Sequence, residues 1–116
     1  MKLIELAYFT DNVQAMADFY RSLLGVEPVA KSADMAIFLC GETKIFIHFK
    51  YPASPVSDGE LPPENHVAFA VDEVDATCNA VTQQGLRLEV PPRDYYWGRS
   101  AYLRNPDGNL VEITKA

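Results

Sequence analysis

Basic charge, sulfur, histidine and long apolar runs are all in short supply in this chain, and each shortage narrows what it does. Ten Lys and Arg stand against sixteen Asp and Glu, a net charge of −6, and the basic residues form no run. Phosphate binding needs a positive field, so nucleic acid and anionic membrane are excluded as partners, and a small molecule or a protein is left. The two cysteines, Cys40 and Cys78, lie in unrelated segments without metal-type spacing, which points to free thiols and a cytoplasmic location. No stretch has the length and apolarity of a signal segment or a membrane span. Only two histidines are present, His48 and His66, so their placement carries information. With 48% hydrophobic residues in 116, the chain is long enough to bury one core and fold as one compact domain.

The first stretch, Leu3 to Phe9, is a β-rich run. Asp11 followed by Gln14 is a helix start of the capping-box kind. Val13, Met16, Tyr20, Leu23 and Leu24 then recur at three and four residues on one face, and Gly25 supplies the left-handed residue that stops a helix. The spacing therefore predicts a helix over Asn12 to Leu24. Val26 to Ala30, Met35 to Cys40 and Lys44 to Phe49 read as strands, the last two joined by a two-residue turn at Gly41-Glu42.

Residues 51–64 break this pattern. Pro52, Pro55, Gly59, Pro62 and Pro63 with Ser and Asp between them have the composition of an exposed linker. After it the plan restarts: a strand at His66 to Val71, a helix start at Asp72 with Asp75 at the capping position, and Val74, Cys78 and Val81 on one face up to Gly85. Leu86 to Val90, Ser100 to Arg104 and Leu110 to Thr114 complete the second half, with Asn105 to Asn109 as a tight turn. The chain thus divides into a first βαβββ module over 1–50, a linker over 51–64 and a second βαβββ module over 65–116.

Period-two alternation says where the polar residues of these strands point. Glu5 lies with Leu3, Ala7 and Phe9, opposite the Ile4 row that the helix covers. His48 lies with Phe46, His66 with Ala68 and Ala70, and Glu112 with Leu110 and Thr114. Glu5 and His66 open the first strand of their halves, while His48 and Glu112 sit on the last. If each half curls into a trough and the troughs face one another, these four side chains enter one cavity. Each alone reads more simply as a structural histidine or a rim carboxylate, although all four are of metal-binding type. Tyr95, Tyr96, Trp97 and Tyr102 suit a pocket lining or plain packing. Arg93 and Arg99 suit a substrate carboxylate or phosphate, or a solvated loop.

Phe19-Tyr20 through Leu24-Gly25, His66-Val67-Ala68-Phe69 with Val71-Asp72, and above all Asn105-Pro106-Asp107-Gly108-Asn109-Leu110-Val111-Glu112 carry a resemblance over nearly the whole chain. It resembles the vicinal oxygen chelate superfamily of glyoxalases, bleomycin-resistance proteins and extradiol dioxygenases. The resemblance implies an α+β fold in which two βαβββ modules form a cupped eight-stranded mixed sheet with helices on its outer face. It also implies a divalent metal held by Glu5, His48, His66 and Glu112. His66 and Glu112 are the usual pair of the second module, whereas the first module here has its carboxylate and imidazole in exchanged order.

Nitrogen and carboxylate donors suit Zn, Ni, Co, Mn or Fe. Such an ion would act as a Lewis acid on a carbonyl or hydroxy-carbonyl substrate and stabilise the enediolate formed on deprotonation, with Glu112 first and Glu5 next as the base. The function implied is a glyoxalase-like lyase or isomerase, with Phe9, Trp97, Arg99 and Tyr102 near the substrate. Phe9 stands where the small bacterial glyoxalases carry an arginine, which speaks against glutathione. The alternatives are a metal-free protein that sequesters an antibiotic or another aromatic molecule and, last, an extradiol-type dioxygenase. A homodimer is expected from the same resemblance.

Overall fold

A computed structural model describes residues 1–50 and 64–116. Apart from Glu64, the expected linker lies outside the described residues. The fold is α+β: among the described residues eight strands in mixed pairing and two helices follow one another as two βαβββ repeats. The chain forms two compact units, one made of Glu5–Asn65 and the other of Met1–Ile4 with His66–Ala116.

In the first repeat the strands are β1 (Lys2–Thr10), β2 (Ala30–Lys31), β3 (Met35–Cys40) and β4 (Thr43–Phe49), in the order β2-β3-β4-β1. Strand β1 runs parallel to β4, and the other pairs are antiparallel. Helix α1 (Val13–Leu24) starts at Asn12, whose side-chain oxygen accepts from the Ala15 N–H at 2.9 Å. The cap is thus Asn12 and not Asp11, which the capping-box reading expected. Gly25 ends the helix at φ 70°, donating its N–H to the Arg21 carbonyl. Val13 and Ala17 pack with Ala36, Phe38, Ile45 and Ile47, and Tyr8, Met16, Tyr20 and Leu24 close over them. Burying a side chain the size of Phe38 completely stabilises the fold by roughly 1.5–3 kcal/mol. Leu23, expected on this face, is 65% exposed.

The strand expected over Val26 to Ala30 shrinks to Ala30–Lys31. Pro28 removes a ladder donor there, and the Val26 and Val29 side chains stay exposed, although the Val29 N–H still donates to the Ile37 carbonyl at 2.8 Å. The turn between β3 and β4 is Gly41-Glu42 as expected, with Gly41 at φ 62°. A positive φ at the first central residue alone marks the type II′ hairpin turn.

In the second repeat β5 (His66–Val71), β6 (Leu88–Tyr95), β7 (Gly98–Arg104) and β8 (Leu110–Lys115) lie in the order β5-β8-β7-β6, with β5 parallel to β8. Helix α2 (Val74–Gln83) places Val74 and Cys78 against Val71, Ala101, Leu103 and Ile113. Its cap residue is Glu73, which makes no capping hydrogen bond, and Asp75 lies in the first turn instead of capping. Strand β6 extends five residues beyond the expected end at Val90, straight through Pro91 and Pro92. It ends the strand order of its repeat, and its register shifts between Val90 and Arg93. An edge strand with a bulge is the place where proline costs least. In the β7–β8 turn Asn105 Oδ1 accepts from the N–H groups of Asp107 and Asn109, and Gly108 takes φ 88°.

Candidate functional site

The face of the second repeat turned away from α2 carries a buried polar group. His66, Ser100, Glu112 and Thr114 are the polar residues buried there, flanked by Ala68, Ala70, Tyr102 and Leu110. The register explains the grouping. On the parallel pair β5–β8, His66 faces Leu110 and Ala68 faces Glu112, so His66 and Glu112 stand two positions apart on one face. Their side chains lean together until His66 Nε2 is 3.5 Å from Glu112 Oε1. On β7–β8, Ser100 faces Thr114 and Tyr102 faces Glu112, which puts Ser100 diagonal to Glu112.

Glu112 is therefore buried but provided for. Ser100 Oγ lies 2.7 Å from Glu112 Oε2, and the Trp97 indole N–H reaches the same oxygen at 3.3 Å and Ser100 Oγ at 3.1 Å. Burial pushes the Glu112 carboxyl upward, but His66, Ser100 and Tyr102 together outweigh it and hold the group below its usual value. It stays ionised at neutral pH. Tyr95 stacks on Trp97 with ring centroids 4.4 Å apart and meets Tyr102 edge to face at 6.1 Å, while the Arg93 guanidinium lies over the Tyr95 ring. Burial raises the Tyr95 hydroxyl's pKa, and that hydroxyl is buried with no hydrogen-bond partner among the described residues.

The first repeat is built differently. Glu5 pairs in register with Lys44, and His48 with Phe9, so four positions of the parallel β1–β4 ladder separate Glu5 from His48. At about 3.3 Å per residue that is roughly 13 Å along the strands. By register the counterpart of Glu112 is Phe46, and the counterpart of Thr114 is His48. The His48 ring sits against Phe9 and Phe46 at 5.8 and 5.6 Å. Its Nδ1 lies 2.7 Å from the Phe49 carbonyl oxygen. A carbonyl only accepts, so Nδ1 carries the proton, and in the neutral ring Nε2 keeps its lone pair.

These distances bear on a divalent ion. Two donors about 2.1 Å from one tetrahedral ion stand roughly 3.4 Å apart. The 3.5 Å between His66 Nε2 and Glu112 Oε1 matches that spacing, whereas a good N–H···O bond is shorter, about 2.7–3.2 Å. The pair therefore fits two positions of a metal shell. Glu5 and His48 do not form a second such pair within their own repeat. Among the described residues no group of three or more His, Cys, Asp or Glu side chains gathers as a metal cage.

Of the residues singled out in the sequence, Trp97 and Tyr102 join the His66–Glu112 group. Phe9 is buried in the other unit, its N–H donating to Asn65 Oδ1 at 2.8 Å. Arg99 is engaged by Asp75 and Asp94 at the outer end of β7. Ser100 and Thr114 were not singled out. Alternation places both on the Glu112 face, and two hydroxyls on a face otherwise filled by Ala, Leu and Tyr were the signal available.

The model of the Glyoxalase/Bleomycin resistance protein/Dioxygenase superfamily matches residues 2–113, and the chain belongs to that superfamily. It is 28% identical to the uncharacterized protein YraH of Bacillus subtilis, over 99% of this chain and 98% of that protein. It is 30% identical to the anthracycline biosynthesis protein DnrV of Streptomyces peucetius, over 90% of this chain but only 38% of that longer protein. A methylmalonyl-CoA epimerase of Streptomyces coelicolor, solved with 2-nitronate-propionyl-CoA, shares the fold with a TM-score of 0.64. That match is 20% identical and covers 100% of this chain and 97% of the epimerase.

Proposed function

We propose that this member of the superfamily is a glyoxalase-like lyase or isomerase for a small carbonyl or hydroxy-carbonyl substrate, with Glu112 as the base. The observation that carries the reading is the carboxyl group of Glu112, buried beside His66 on a face whose Ala68 and Ala70 side chains are small. A carboxylate held below its usual pKa is a weak base. It abstracts a proton only from carbon made acidic by a polarised neighbouring carbonyl. The reaction therefore needs an electrophile close to Glu112.

His66 and Glu112 would hold a divalent ion of the Zn, Ni, Co, Mn or Fe type, and Glu5 and His48 are the candidate further donors. Bound there, the ion would supply Lewis-acid polarisation of the substrate oxygen. The chain itself contributes a fixed carboxylate, an imidazole beside it and an aromatic wall of Tyr95, Trp97 and Tyr102 that keeps water from the reacting carbon. Metal analysis of protein purified without chelator or nickel resin tests the reading. Stoichiometric metal in the wild type and its loss in His66→Ala are expected, and a wild type that neither holds nor takes up metal would sink the metal-dependent form.

The second reading is a metal-free protein that binds an aromatic small molecule. The stacked Tyr95–Trp97 pair and the buried, unpartnered Tyr95 hydroxyl favour it. The partial relative DnrV is an anthracycline biosynthesis protein, which lends support to an aromatic ligand. Quenching of Trp97 fluorescence by a planar aromatic ligand, in protein stripped of metal, separates this reading from the first.

A further inference from the structure

Ser100 makes three contacts through one hydroxyl. Its Oγ lies 2.7 Å from Glu112 Oε2, 2.8 Å from Thr114 Oγ1 and 3.1 Å from Trp97 Nε1. The hydroxyl has one hydrogen to give and two lone pairs to offer. An ionised carboxylate only accepts, so the Ser100 hydrogen goes to Glu112. An indole N–H only donates, so Trp97 takes one lone pair of Ser100. The remaining lone pair accepts from the Thr114 hydroxyl. All three valences are used, and the hydrogen of Ser100 has one place to point.

The consequence falls on Glu112. Its Oε2 receives the Ser100 hydroxyl and a share of the Trp97 N–H, both from the β6–β7 side, while Oε1 faces His66 Nε2 at 3.5 Å. Ser100 is completely buried and Thr114 and Glu112 nearly so, so no bulk water competes for these bonds. A buried charge-assisted hydrogen bond of this kind is among the stronger ones a protein makes. The two carboxylate oxygens are thus unequal: Oε2 takes the Ser100 and Trp97 hydrogens, and Oε1 faces the His66 ring.

We infer that Ser100 is a positioning residue: with Thr114 and Trp97 behind it, it locks Oε2 of Glu112 and leaves Oε1, beside His66, as the oxygen that meets an ion or a substrate proton. The inference rests on the reading of Glu112 as the working carboxylate, and it names a role for a residue outside the expected donor set. Hydrogen-bond partners behind a ligating carboxylate are worth about 10–100-fold in metal affinity.

The test titrates Zn2+ by calorimetry into metal-free wild type, Ser100→Ala and Ser100→Cys, the last keeping a weak S–H donor. Ser100→Ala is expected to bind Zn2+ at least about tenfold more weakly, with Ser100→Cys in between. Unchanged affinity in Ser100→Ala overturns the inference. If Ser100→Ala does not fold, the comparison of Ser100→Cys with wild type decides it in the same way. If the wild type itself takes up no Zn2+, the metal-dependent reading falls, and a double-mutant cycle of urea stabilities for Ser100→Ala and Glu112→Gln decides the inference. Non-additive losses then support the hold of Ser100 on Glu112, and additive losses overturn it.

Discussion

Arg99 grips Asp75 through one edge of its guanidinium, Nε to Oδ1 at 2.7 Å and Nη2 to Oδ2 at 3.1 Å. The bond ties the start of β7 to the first turn of α2, and Asp94 joins from β6 at 3.0 Å. A carboxylate in the first helical turn also complements the helix dipole, so Asp75 serves the helix start although it does not cap it.

The pH dependence of this link has a definite sign. The Arg99 hydrogen bonds hold the Asp75 carboxyl below its usual value. A depressed carboxyl contributes stability above the unfolded aspartate pKa of about 4, and that contribution is lost as pH falls through the lower folded value. Urea denaturation of wild type and Arg99→Gln should show the wild type more stable at neutral pH and low salt. The gap should close in acid and narrow in high salt, because both partners are exposed to solvent. A gap that ignores pH would mean that Arg99 acts through packing instead.

Gly25 gives a backbone prediction free of crowding. Its φ is 70°, and a Cβ added there meets nothing within 4 Å. Gly25→Ala should therefore cost only the left-handed strain of an L-residue, roughly 1–2 kcal/mol in urea denaturation, with no change in the m-value. A larger loss would show that the helix stop also has a packing partner.

These cases show which parts of the structure were legible in the sequence. Helix α1 was readable because Val13, Met16, Tyr20 and Leu24 recur at helical spacing and a glycine follows. The caps were less readable, because Asp11 and Asn12 are equally good acceptors by type, and only the geometry of the entering chain selects Asn12. Strand β6 runs past Val90 through two prolines, and the edge position that tolerates them is a tertiary fact absent from a local pattern. The same limit applies to the site. Alternation put Glu112 and His66 on one face each, but which residue lies opposite which depends on register. Register is what sets His48 beside Phe9 and carries Ser100 to Glu112.

The two thiols should differ sharply in reactivity. Cys40 is exposed at the end of β3 and Cys78 is buried on the inner face of α2. Burial, reinforced by the Asp75 charge, raises the Cys78 thiol above its usual value and further lowers its thiolate fraction. A disulfide reagent under native conditions should label one thiol quickly and the second only on unfolding, and Cys40→Ser should remove the fast phase. A fast phase that survives Cys40→Ser would mean that helix α2 opens readily.

The four expected donors should not prove equivalent when each is removed. His66 and Glu112 hold their reactive atoms 3.5 Å apart, a spacing one ion can bridge. Glu5 and His48 are four ladder positions apart on parallel strands, and side chains that stand off a sheet do not close roughly 13 Å onto a single ion. Glu5 and His48 therefore cannot both ligate one ion. Metal content of the four alanine variants should therefore fall away in His66→Ala and Glu112→Ala and in no more than one of Glu5→Ala and His48→Ala. The variant that keeps its metal identifies the donor that stands outside the shell. Loss of metal in all four would require β1 and β4 to pair in a different register, with His48 brought level with the position Phe46 now holds.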